Sequence, residues 1–151
     1  MTRTILAALA GVLMAAHAWA QSAPASFLSE ADVLAQLQQA ARTSPDMMVA
    51  RMVNTDSHRV NVVKRTAPQG AIAHDLGTEV HYIIEGSATL VTGGTIVRPA
   101  AGAPAAPATI RDGQTRTVRK GDIVLVPVNT PHWYSRIEKP LTYLEVRFDV
   151  K

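Results

Sequence analysis

The side chains best suited to chemistry concentrate in one stretch, His74-Asp75-Leu76-Gly77-Thr78-Glu79-Val80-His81-Tyr82-Ile83-Ile84-Glu85-Gly86. His74 and Glu79 flank a turn over 75–78, in which Gly77 is free to take a positive φ. Side chains opposite each other across a hairpin have Cβ atoms roughly 5 Å apart. At that spacing an imidazole and a carboxylate can hold one metal ion between them, or can hydrogen-bond each other. Beyond the turn the sequence alternates with period two. Glu79, His81 and Ile83 therefore share one face of a strand, and Val80, Tyr82 and Ile84 share the other. His81 points where Glu79 points, as an acid–base group, a pocket wall or a further ligand. Histidine is the side-chain type suited to proton transfer near neutral pH.

A second stretch runs Gly121-Asp122-Ile123-Val124-Leu125-Val126-Pro127-Val128-Asn129-Thr130-Pro131-His132-Trp133-Tyr134. Gly121 supplies a turn, and Pro127, lacking an N–H, stops the strand that follows. Asn129 to Pro131 turn the chain and deliver His132 at the start of the next strand. Tyr134 and Arg136 share the face of His132. Tyr134 can position a ligand oxygen or move a proton. Arg136 can bind a carboxylate, but lies late in the strand, where solvent is expected. Taken alone, a histidine beside Trp133 reads as structural.

The elements around these stretches are mostly strands. Ser29, with Asp32 three residues on, forms a capping box. Val33, Leu34, Leu37 and Ala41 follow at helical spacing, predicting one short helix over about 30–42. It is expected to strap the outside of a barrel or to meet a second copy. From Met47 on, strands are expected over 48–53, 59–65, 71–74, 79–85, 88–92, 95–98, 108–111, 115–119, 123–128, 132–137 and 141–148. Many short strands at close spacing predict an all-β sandwich or closed barrel. In the last strand Leu144, Val146 and Phe148 are expected to face the core, leaving Glu145 and Arg147 outside. Arg59 and Asn61 share a face with Val63, and the pattern leaves pocket and surface open. Trp133 and Tyr82 are expected to pack the shell. The low-complexity run over 99–107 has little to bury, so 98–108 is read as a loop excursion, either a lid over the barrel mouth or an insert without a role.

Length and composition set the bounds. The 151 residues suffice for one domain with a real core. Arg3, the apolar run over 5–16 and the small-x-small triplet Ala18-Trp19-Ala20 predict a signal peptide over 1–20, too short for a convincing membrane span. Cleavage after Ala20 would leave a mobile tail over 21–28 and one domain over 29–151, in the periplasm or secreted. Without Arg3 the chain carries 14 basic and 12 acidic groups, a formal charge of +2. With no basic block, that excludes nucleic acid as the expected partner. No second long apolar run follows, so no stable membrane span is expected after cleavage. There is no cysteine, which excludes thiolate zinc sites, iron–sulfur clusters and blue copper.

The two stretches together resemble the cupin superfamily. Its first motif is Gly, five residues, His-x-His, three or four residues, Glu, six residues, Gly; its second is Gly, five residues, Pro-x-Gly, two residues, His, three residues, Asn. Here His74, Glu79, Gly86, Gly121, Pro127 and His132 match, over roughly residues 71–136. The resemblance implies a double-stranded β-helix, or jelly-roll, barrel with a pocket inside. Other positions depart from the pattern. Ile72 stands where the first histidine would be, Asn129 replaces a glycine, which is tolerable because Asn also accepts αL, and Arg136 replaces an asparagine. The implied ligand set is His74, Glu79 and His132, a two-histidine, one-carboxylate triad around one divalent metal ion (Fe, Mn, Zn, Ni or Cu), although metal-free cupins also exist. The resemblance also implies a homodimer.

Three functions follow from this reading. The first is a metal-dependent enzyme acting on a small organic molecule beneath an apolar wall of Ile72, Ile83 and Leu125 or Val126. His81 or Tyr134 would move a proton, in oxygenase-like, isomerase or lyase chemistry. The absence of a charge cluster in the sequence argues against a phosphorylated substrate. The second is a non-catalytic periplasmic module that binds a small molecule. The third is a protein that works through its outer sheet, as a dimer or within an envelope complex.

Overall fold

A computed structural model describes residues 23–101 and 105–148. The expected signal peptide, and the first two residues of the expected tail, lie outside them. No helix among the described residues is long and apolar enough to cross a membrane.

The helix α1 spans Glu30–Ala40. It starts where the capping box predicts: the Asp32 N–H donates to Ser29 Oγ at 3.1 Å and the Ser29 N–H to Asp32 Oδ2 at 3.3 Å. Eight strands follow among the described residues: β1 Met47–Asn54, β2 His58–Arg65, β3 Thr78–Thr92, β4 Thr95–Val97, β5 Thr109–Arg111, β6 Gln114–Arg119, β7 Ile123–Val126 and β8 His132–Phe148. All pairings are antiparallel. The main sheet runs β1-β2-β8-β3-β6, with β7 also on β3, and β4 pairs with β5.

Two long strands organise the molecule. β3 and β8 each absorb two of the expected strands and pair with each other from Thr78↔Phe148 to Thr92↔His132. Both bend where their register slips, around Gly86 and Pro140. Gly86 has φ +86°, and a Cβ there would sit 2.0 Å from the Pro140 carbonyl oxygen. The bend gives two leaves with one shared core of Val63, Ile83, Ala88, Leu90, Val118, Tyr134, Leu141 and Tyr143. A smaller core lies on the opposite face of β1, where Leu37 of α1 covers Met48 and Ala50. The helix is thus the outer strap that the sequence predicts.

Alternation holds along β3: Glu79, His81 and Ile83 are buried, whereas Tyr82 and Ile84 are exposed. Tyr82 therefore lies on the surface rather than packing the shell. Ile123 and Leu125 of β7 pair with Tyr82 and Val80, so they carry this exposed apolar outer face further.

Two expectations are corrected. The strand over 71–74 shrinks to a single bridge, Ile72↔His132, because the chain there pairs with the mouth of β8 for one residue only. In β8 the faces are reversed: Tyr143 and Arg147 are buried inward and Glu145 lines the interior cavity, whereas Phe148 is exposed. The interior at this end holds a polar cavity, so the amphipathic set turns in and the apolar set turns out.

Candidate metal centre

Local backbone features bring three donor groups to one point. Glu79 enters β3 directly after Gly77, which takes φ 111° as the turn requires. The His74 carbonyl accepts from the Asn129 N–H at 2.7 Å, and Asn129 has φ 60°, a conformation this residue type tolerates. His132 is set by its two-way bridge to Ile72, with N–H to carbonyl distances of 2.8 and 3.1 Å. As a result His74 Nε2 lies 3.1 Å from Glu79 Oε1, and His132 Nε2 lies 3.4 Å from Glu79 Oε2. Donor atoms of the three side chains fall within 4.8 Å of one another.

The protonation pattern decides what this geometry can hold. His132 Nδ1 lies 3.0 Å from the Thr130 carbonyl. A carbonyl only accepts, so Nδ1 carries the proton. Burial pushes the His132 pKa down, outweighing the Thr130 bond and the Glu79 charge that raise it. The ring is therefore neutral and Nε2 presents a bare lone pair to a carboxylate oxygen. Burial alone would raise the Glu79 pKa, but hydrogen bonds from His74 and His81, and the charges that His81 and His132 carry in acid, outweigh it and hold the carboxyl well below the usual range. Two lone pairs facing each other in a buried site call for a cation between them. A histidine that donates its other nitrogen to a carbonyl is also the usual arrangement of a metal ligand. The donor set fits a divalent metal.

His81 sits behind this group, 2 % exposed. Its Nε2 lies 3.2 Å from Glu79 Oε2 and its Nδ1 2.9 Å from the Tyr134 hydroxyl. The carboxylate accepts from Nε2–H, so Nδ1 accepts from the phenol. Burial raises the Tyr134 pKa well above its ordinary value, which keeps that proton in place. The result is a line of donors, Tyr134 to His81 to Glu79. Tyr134 is buried and Arg136 is exposed, as their positions in the strand predict. The Trp133 indole donates to the Gln69 carbonyl at 2.7 Å and so pins the segment facing the site.

No protein-family model matches the chain, and no curated protein sequence matches it. Solved structures do resemble it. KdgF from Halomonas sp. superposes with a TM-score of 0.53 at 14% identity, over 72% of this chain and 85% of that one. The Cnp3 cupin domain of Schizosaccharomyces pombe gives 0.52 at 11% identity, over 70% and 66%. Iron(II) HppE gives 0.52 at 15% identity, over 68% and 50%. The chain has the cupin fold.

The barrel holds an open cavity of about 640 Å³, with His74, Glu79 and Ile72 in its wall. Neither His81 nor Tyr134 lines it. Ile83 is fully buried in the core, and of the pair Leu125 and Val126 it is Val126 that turns inward. The rest of the wall is more polar than the sequence predicts. Arg59 and Asn61, left open between pocket and surface, both line it, and so do Glu145 and Arg147. Glu145 accepts from Asn61 Nδ2 at 2.8 Å. It forms, with Glu79 and His81, a second group of possible ligands. Arg51, Arg65 and Arg98 complete a basic lining. That corrects the expectation of no charge cluster: the arginines are dispersed along the chain, and only strand register gathers them.

The signal for these residues was present but weak. Arg51, Asn61, Glu145 and His81 form one cross-strand row, and Asn54, Arg59, Arg147 and Glu79 form the next. Counting by twos from Glu79 reaches such rows only once the pairing of four strands is known. The loop over 98–108 contributes Arg98 and Ala108, at its ends, to the cavity wall.

Proposed function

We propose that this chain is an exported metal-binding cupin, an enzyme that acts on a small organic molecule at a mononuclear site of His74, Glu79 and His132. One observation carries the reading: the bare Nε2 of neutral His132 faces the Glu79 carboxylate at 3.4 Å, with its Nδ1 proton committed to Thr130. The name of one structural neighbour, iron(II) HppE, carries a divalent metal, which supports the reading by analogy only. A divalent metal bound here supplies Lewis-acid polarisation or dioxygen activation.

The chain's own residues do the rest. Thr130 fixes the His132 tautomer. His81 holds its Nε2 proton against Glu79 and turns the carboxylate. The Tyr134 hydroxyl keeps His81 in that tautomer. Through Glu79 these two residues reach the cavity edge, so their part in proton movement is indirect. Glu79 and His132 are buried, which keeps bulk water from the donor atoms.

Elemental analysis of the protein, purified without a histidine tag, tests this. One equivalent of a divalent metal, lost in His132→Ala, is expected. A wild-type protein free of metal after purification in metal-containing buffer contradicts it. The second reading, a binding module without metal, draws on the hydrogen bonds that His74 and His81 already make to Glu79. It predicts ligand-induced shifts in melting temperature with no metal and no turnover. Export predicts that the mature protein begins at Gln21. The homodimer predicts a mass of two chains by light scattering, with Tyr82, Ile84, Ile123 and Leu125 covered.

A further inference from the structure

The cavity wall carries more positive than negative groups. Arg51, Arg59, Arg65, Arg98 and Arg147 line it against two carboxylates, Glu79 and Glu145. Both carboxylates are engaged elsewhere, Glu79 by histidines and Glu145 by Asn61. Among the described residues no carboxylate comes within ion-pair distance of Arg51, Arg59, Arg65 or Arg98; the arginine–carboxylate pair that does form, Arg111 with Asp112, lies outside the cavity. Arg65 is held in place, its Nε donating to the Tyr143 hydroxyl at 3.0 Å and its guanidinium lying over the Tyr134 ring. Arg147 is likewise held, by the Leu76 carbonyl. Like charges gathered in a cleft with low-dielectric walls repel one another and draw anions in.

Register places these charges relative to the metal centre. Arg59 and Glu79 flank Arg147 in one row. They are two strand spacings apart, about 10 Å. Arg51 lies at the edge of the neighbouring row, on β1. A small molecule of that length can meet Glu79's neighbourhood at one end and a guanidinium fork at the other. The cavity volume of about 640 Å³ admits it with room to spare.

We propose that the cavity takes a small organic anion, its acidic group held by Arg59 and Arg51 while the rest of the molecule reaches His74 and Glu79. Planar guanidinium forks match carboxylate and phosphate oxygens in pairs, so the shared recognition is of an oxyanion. This substrate class rests on the cavity being the working site, as proposed above.

The test is calorimetric titration of the purified full-length protein, metal-loaded and metal-stripped, with succinate, inorganic phosphate and the neutral isostere succinamide. The wild type is expected to bind an anion at least tenfold more tightly than succinamide. Arg51→Gln/Arg59→Gln is expected to weaken that binding at least tenfold, and Arg111→Gln to leave it unchanged. Preference for succinate assigns the oxyanion to a carboxylate, and preference for phosphate to a phosphoryl group. Succinamide bound as tightly as the better of the two anions overturns the proposal, as does anion binding that survives in the double variant or no binding of either anion by the wild type. Elemental analysis of the same samples separates the two readings. Protein that holds metal but ignores anions overturns this proposal alone. Protein that binds anions but never metal supports it and overturns the metal reading.

Discussion

Arg147 grips the carbonyl of Leu76, its Nε donating at 3.0 Å and its Nη2 donating alongside. Leu76 sits in the turn between His74 and Glu79, and Arg147 is itself the cross-strand partner of Glu79. One residue of β8 therefore fixes both the turn and the strand that follows it. Arg147→Gln loses charge-assisted hydrogen bonds to a turn that carries two proposed ligands. Metal affinity is expected to fall about 10–100-fold, the usual cost of losing an outer-shell partner. Competition with a chromophoric chelator measures it, and an unchanged affinity would mean that the turn holds itself.

Tyr134 acts on Glu79 only through His81. Tyr134→Phe leaves His81 Nδ1 buried without a donor, at a cost of about 1–3 kcal/mol. Urea denaturation reads that loss. Metal stoichiometry is expected to survive, because no donor atom of the triad is touched. Loss of the metal together with stability would place Tyr134 closer to the ion than the structure does.

Burial pushes the Tyr143 hydroxyl up to about 12, against the opposing pull of Arg65. A raised folded-state pKa favours the protonated form, so this contribution to stability is complete below the unfolded-state value near 10. It is lost as pH climbs from there through about 12. Denaturation measured across that window is expected to show a steeper fall for the wild type than for Tyr143→Phe, which has no proton to lose. Parallel curves would contradict the assignment.

Two glycines separate backbone strain from collision. Gly93 has φ +72° and open space around its missing Cβ, so Gly93→Ala is expected to cost only the left-handed penalty of about 1–2 kcal/mol. Gly86→Ala adds a contact of 2.0 Å with the Pro140 oxygen, backbone that cannot swing aside without unbending β3 and β8. Its loss of stability is expected to exceed that of Gly93→Ala clearly, read as the shift in denaturation midpoint. Equal shifts would show that the bend is free to move.

What the sequence made legible is local. Alternation assigned Glu79, His81 and Ile83 to the inside and the Ser29–Asp32 pair started the helix, whereas β7 ends at Val126, before Pro127 and two residues short of the expected strand. Turn chemistry placed positive φ at Gly77. Each failure has a physical cause. The apolar-in rule assumes a dry interior, and one leaf of this barrel encloses a polar cavity. Alternation therefore puts Arg147 and Glu145 on the wrong face, beside a Leu144 and a Val146 that read as the better core. The arginine wall was invisible for a different reason: its members sit on β1, β2, β8 and a loop, and only strand pairing brings them together. The bridge at Ile72 needed His132, sixty residues away, to be recognised as its partner.

Anomalous diffraction from crystals of the as-purified protein, recorded at the absorption edge of the metal found by elemental analysis, shows whether His74, Glu79 and His132 hold one ion. A single peak is expected, bonded to His74 Nε2, His132 Nε2 and a Glu79 oxygen at the roughly 2.0–2.2 Å of a first-row divalent ion. No peak there, with Glu79 still hydrogen-bonded to its histidines, would contradict it.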